Sequence, residues 1–144
     1  MTNVGRFTAS IIVLVASACA PGNLCSAAAI AESDIDQWLD AMRGRGAAVG
    51  LVGDVEQPFL SVTGSMVQVN GEDAQVFAYP SAAAMEAQAA RISPDGSTVG
   101  TSKIHWIGAP HFFKQGKLLV LYVGENDDLL RILTATLGRQ FAGK

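Results

Sequence analysis

The chain has almost no cysteine: Cys19 and Cys25 are the only two in 144 residues. Everything after Cys25 is therefore without an internal disulfide. Histidine is as scarce, with only His105 and His111. Two histidines make an incomplete zinc set, since a site needs three or four protein ligands. Charge of one sign is lacking too. The net charge is −3, with no run of like charges and no basic stripe. That argues against nucleic acid, whose phosphates require clustered Lys and Arg. It also leaves no polybasic patch for an anionic membrane surface. Long hydrophobic runs are missing as well. A spanning helix needs about 20 apolar residues. The strongly apolar stretch here is Ile11 to Val15, and Pro21, Gly22 and Asn23 soon break it.

What is present is a segment without charge, from Phe7 to Ala31, preceded by Arg6. A positive start, a short apolar region (Phe7 to Ala16) and a small-residue cleavage site make a secretory signal. Two sites compete. Ala16-Ser17-Ala18 before Cys19 resembles the lipobox of bacterial lipoproteins, in which the cysteine becomes the lipidated first residue. Ala16 departs from that pattern, which prefers Leu. The other site is Ala29-Ile30-Ala31 before Glu32, and cutting there would release a protein without cysteine. The expected organisation is a signal peptide over 1–18, cut between Ala18 and Cys19, and a small-residue tether over 19–31. A single globular domain over 32–144 follows. Lipid on Cys19 would hold that domain to the cell envelope, whereas cleavage between Ala31 and Glu32 would secrete it.

The periodicity predicts an α+β domain. Ile35, Trp38, Leu39 and Met42 form a helical stripe. Ser33 is placed as its N-cap, with Asp36 in the manner of a capping box. A strand is expected from about Ala48 to Val52. The glycines around it do not make a dinucleotide loop, because they follow a helix rather than a strand. Phe59 to Thr63 reads as another strand, with Gly64 a bulge or bend. Asn70-Gly71 signals a hairpin between Ser65–Val69 and Ala74–Tyr79, because both residues tolerate positive φ. Ser81 caps an alanine-rich helix. Ser93-Pro94-Asp95-Gly96 is a turn by composition. Asp95 and Ser97 offer too few oxygens for a calcium loop.

Gln115-Gly116 is expected to turn a second hairpin, pairing Phe113 with Leu118 and His111 with Val120. Pro110 interrupts its first strand. Leu118 to Val123 is apolar on both faces and should be central. Asn126 caps a last helix, and Gly138 ends it. The order is α-β-β-β-β-α-β-β-α, with about six strands in a mostly antiparallel sheet and three helices.

The segments "VNGEDAQVFAYP", "ARISPDGS" and "GAPHFFKQGKLLVLYVG" resemble small exported bacterial lipoproteins of uncharacterised function. The resemblance covers about Phe59 to Gly143. It implies an anchor and one compact domain, and carries no activity, cofactor or catalytic residue.

Candidate chemistry is sparse. No nucleophile elbow surrounds Ser65, which lacks the G-x-S-x-G pattern. The carboxylates Asp54, Glu56, Glu72 and Asp73 fall in turns. The feature best suited to binding is the cluster His105, Trp106, Pro110, His111, Phe112, Phe113 and Lys114. Aromatics beside a proline break can present a patch to a protein or peptide, or can be the core of the hairpin. The sequence thus predicts an envelope-tethered binding or structural module without cofactor. The competing expectation is a small metal-dependent hydrolase using His105 and His111.

Overall fold

The computed structural model describes residues 25–144. Helix α1 (Cys25–Arg43) leads into strands β1 (Val49–Val55), β2 (Gly64–Val69) and β3 (Glu72–Ala78). Helix α2 (Ala82–Ala89) and a small hairpin of β4 (Thr98–Val99) and β5 (Ser102–Lys103) follow. Strands β6 (Pro110–Gln115) and β7 (Leu118–Val123), helix α3 (Asp127–Leu137) and strand β8 (Ala142–Gly143) complete the chain. Six strands form one sheet in the order β1-β2-β3-β7-β6-β8. All neighbours in it are antiparallel. The expected α+β class is the observed one.

Side chains alternate across each strand, and the alternation sorts the core into two layers. Val67, Val69, Val76, Phe113, Val120 and Tyr122 pack beneath α1 and α3. Phe77, Phe112, Leu119 and Leu121 pack against α2 and the segment that carries Leu60. Strand β7 is therefore buried on both faces, as its unbroken apolar run implies.

Local signals set several ends. Asn70 and Gly71 take φ of 51° and 88° between the paired Val69 and Glu72, as a two-residue type I′ turn requires. Ser81 accepts a hydrogen bond from the Ala84 N–H. Asn126 accepts from the N–H groups of Asp128 and Leu129 at 3.0 and 3.1 Å. Gly138 closes α3 with φ 87°.

Four expectations need correction. Helix α1 starts at Cys25, so Ser33 lies inside it rather than at its cap, and seven residues of the expected tether are helical. No breaker separates that alanine run from Trp38, and alanine is the strongest helix former. Asp34 consequently sits in mid-helix, where its carboxylate lies 3.5 Å from the Lys117 ammonium. Phe59 to Thr63 is not a strand but a succession of turns and bends after Pro58. The bulge falls in β1, between Leu51 and Gly53, while Gly64 opens β2. Finally, Phe113 pairs with Val120 and His111 with Tyr122, because Gly116-Lys117 makes the turn, with Gly116 at φ 58°. That register differs from the expected one by two residues, so every side chain keeps its face although its partner changes. Strand β8 was not foreseen.

Candidate functional site

After α2 the chain leaves the sheet and returns to it at Pro110, the first residue of β6. This excursion builds a cleft of about 320 Å³, whose walls include Asp95, Ser97, His105, Trp106, Pro110 and Lys144.

One side of the cleft is a polar cage. Asp95 Oδ1 accepts from the Ser93 hydroxyl at 2.6 Å, the Ser97 hydroxyl at 2.9 Å and the Ser97 N–H at 3.1 Å. Ser93 Oγ in turn accepts from the Thr98 N–H at 3.0 Å. These bonds, that from Ser93 first, hold the exposed Asp95 carboxyl at a pKa of about 2. Its ordinary value is about 3.9. The folded value is the lower one, so the turn's contribution is complete above about pH 4 and is lost as pH falls through about 2. A carboxyl-carbon NMR titration of Asp95 is expected to show a midpoint near 2. A midpoint near 4 would mean that the cage does not persist in solution.

The other side is aromatic. Trp106 is half-buried, and its indole N–H donates to the Gly96 carbonyl at 2.7 Å. Its ring meets Phe59 and Phe112 edge to face, at centroid distances of 5.8 and 5.9 Å. This geometry is the favourable one for aromatic pairs. Gly96 takes φ 68° where its Cα faces the Phe112 ring, and a Cβ there would stand 3.1 Å from that ring. The turn is thus seated on the core, and the cleft has a fixed floor.

The sequence-predicted cluster divides. His105 is exposed at the cleft. His111 is 6% exposed, and each of its ring nitrogens has a polar atom beside it. Nε2 donates to the Gly124 carbonyl at 3.0 Å, and Nδ1 lies 2.8 Å from Gln140 Oε1. Its ring stacks on Tyr122. Burial above all, together with the Glu72 carboxylate, pushes the Tyr122 phenol above its usual range. Phe112 and Phe113 are buried on opposite faces of the sheet. Lys114 is half-buried, ion-paired with Glu86 and placed 5.2 Å above the Phe141 ring. The seven residues therefore do not form one continuous exposed patch; His105, Trp106 and Pro110 line the cleft.

The Ser97 hydroxyl donates to the Asp95 carboxylate, and no histidine is among its hydrogen-bond partners. No group of three or more His, Cys, Asp or Glu able to hold a metal exists among the described residues. The Asp95–Ser97 spacing was visible in the sequence as a turn, and a side-chain oxygen two residues before an amide is the signal for such a cage. Lys144, 34 positions after Pro110 yet bonded to its carbonyl, carried no such signal. The residues Ala18 and Cys19 lie outside the described residues, while Ala31 and Glu32 fall within α1. No family model, curated protein or solved structure matches this chain.

Proposed function

We propose that this chain is an exported lipoprotein, held to a membrane by lipid on Cys19, whose body is a binding or structural module without catalysis. The observation that carries the reading is the leader: Arg6, a short apolar stretch and small residues ending at Cys19. One structural fact supports it. Cleavage after Ala31 would cut inside α1, whereas cleavage before Cys19 leaves that helix whole. No helix among the described residues is long and apolar enough to cross a membrane. The partner is a protein or peptide segment taken up at the cleft, with Trp106 as the apolar floor and His105 and Asp95 at the rim.

Intact-mass measurement of the membrane fraction tests the anchor. The expected result is a chain beginning at Cys19 and carrying diacylglycerol, with the unprocessed precursor accumulating under globomycin. Cys19→Ser should abolish both the lipid and the processing. A mature chain beginning at Glu32 in the medium would overturn the proposal.

A further inference from the structure

The two edges of the sheet are unlike. Strand β8 ends one side with only two residues. Strand β1 ends the other with seven, of which the middle five are exposed. Among the described residues, the large hydrophobic side chains that are exposed are Leu51, Val52 and Ile107, and two of these lie on β1. An open edge of this kind is a template for another strand.

The direction of its free groups follows from one bond. The Asn70 N–H donates to the Ala48 carbonyl at 2.8 Å, and the Ala48 N–H donates to Asn70 Oδ1 at 2.8 Å. Ala48 thus turns its peptide groups toward β2. Alternation then turns those of Gly50 toward β2, and those of Val49 and Leu51 away from the sheet. The Arg43 guanidinium, 3.5 Å from the Val49 carbonyl, lies on that outer side.

We propose that β1 pairs with β1 of a second copy of this chain, antiparallel about a two-fold axis at Gly50. That register sets Val49 opposite Leu51 of the second copy, and Leu51 opposite its Val49. The outward N–H and C=O groups of both positions are then paired across the axis, with the Arg43 guanidinium giving up its 3.5 Å contact to the Val49 carbonyl, and the apolar side chains meet on one face. A Cβ on Gly50 would meet nothing within 4 Å, so the strand can approach there. Charge selects the occupant. Val49 to Gly53 is uncharged, the exposed Asp54 follows it, and the exposed Arg43 and Arg45 precede it. The antiparallel direction leaves Asp54 of each copy, beyond the paired part, on the side of the Arg43–Arg45 turn of the other, where Arg43 also pairs with its own Asp40 and Arg45 donates to the Ala135 carbonyl. An unrelated extended peptide would satisfy the backbone but not both halves of that charge pattern. The bulge at Val52 limits the pairing to the first part of the strand. A contact confined to a strand edge falls below the ~1,000 Å² of a stable interface, so the dimer is concentration-dependent. The inference holds whether or not Cys19 is lipidated.

A covalent trap reads it. Residues facing each other across a pair that shares no hydrogen bond have Cα atoms about 4.5 Å apart, within the roughly 4.4–6.8 Å span of a disulfide. Gly50→Cys is made in the full-length chain together with Cys25→Ser, and the protein is mildly oxidised in whichever fraction, membrane or soluble, it is recovered. The expected product is a band of twice the chain mass that dithiothreitol reverses, at least tenfold above both Gly53→Cys and Cys25→Ser alone. Adding Leu51→Pro, which removes an outward donor at an edge that tolerates proline, should lower the yield at least tenfold. Leu51→Lys should do the same by repulsion without touching the backbone. A Gly50→Cys yield no greater than that of Gly53→Cys would overturn the proposal. So would indifference to both Leu51 changes, or adducts to a different protein in place of the dimer.

Discussion

Phe112→Ala is expected to destabilise the domain by about 3–5 kcal/mol, the cost of deleting a buried aromatic ring. Folded domains have only roughly 5–15 kcal/mol in total. The ring is wholly buried in the layer beneath α2. It supports the edge of Trp106 on one side and lies 6.3 Å from the Phe141 ring on another. Gly96 leans on it from above. Its neighbours come from separate segments joined to β6, so they cannot close over the void together, and the cavity term adds to the transfer term. Urea denaturation followed by tryptophan fluorescence should show a lower midpoint with an unchanged slope. Wild-type stability in the Phe112→Ala protein would show that the ring is outside the core.

The sequence left this cluster open between a surface patch and the core of the hairpin, because aromatics adjoin a proline. What decided the outcome was the partner of each face. Alternation alone says that Phe112 and Phe113 point oppositely. It cannot say that α3 covers one side while α2 and the Phe59 segment cover the other. His111 shows the same gap more sharply. Its surroundings are set by Gln140, 29 positions away, and by the Gly124 carbonyl. Neither is part of a spacing motif.

Where a signal was local, it was legible. Asn70-Gly71 closed its hairpin, Asn126 capped α3, and the Leu118 to Val123 run became the strand covered on both faces. The start of α1 was ambiguous because small residues make both good spacers and good helices, and composition does not choose between them. Leu60 to Thr63 alternates apolar and polar residues, but the segment covers the sheet rather than joins it: Leu60 is buried against α2, and the Gln88 amide donates to the Phe59 carbonyl at 3.4 Å. A covering loop and a strand share that pattern and differ only in where the backbone finds its hydrogen bonds. The cleft was half legible, since its turn was evident but its far wall arrives with β8.

Gly64→Ala is expected to cost at least 1–3 kcal/mol, the usual penalty for overpacking a close-fitted site, although it adds a single methyl group. Gly64 is buried at the start of β2, paired with Val55. A Cβ there would stand 2.5 and 2.6 Å from two carbons of the Phe77 ring, and 2.7 Å from the Val76 carbonyl oxygen. The ring is fully buried and cannot swing into solvent. The oxygen belongs to the backbone of β3, next to the Ser65–Val76 pair of the ladder. Either β2 lifts away from β3 at this end, or Phe77 leaves its place in the layer beneath α2. Both routes also displace Val55 and the edge strand that ends there. The two sources of the clash can be separated by a double-mutant cycle with Phe77→Leu. Phe77→Leu alone should destabilise by leaving space. Combined with Gly64→Ala, it should cost less than the sum, because the smaller side chain accommodates the new methyl. Additive costs would locate the strain in the Val76 carbonyl instead, and a stable Gly64→Ala single variant would mean that β2 and β3 lie farther apart at this end than their register places them.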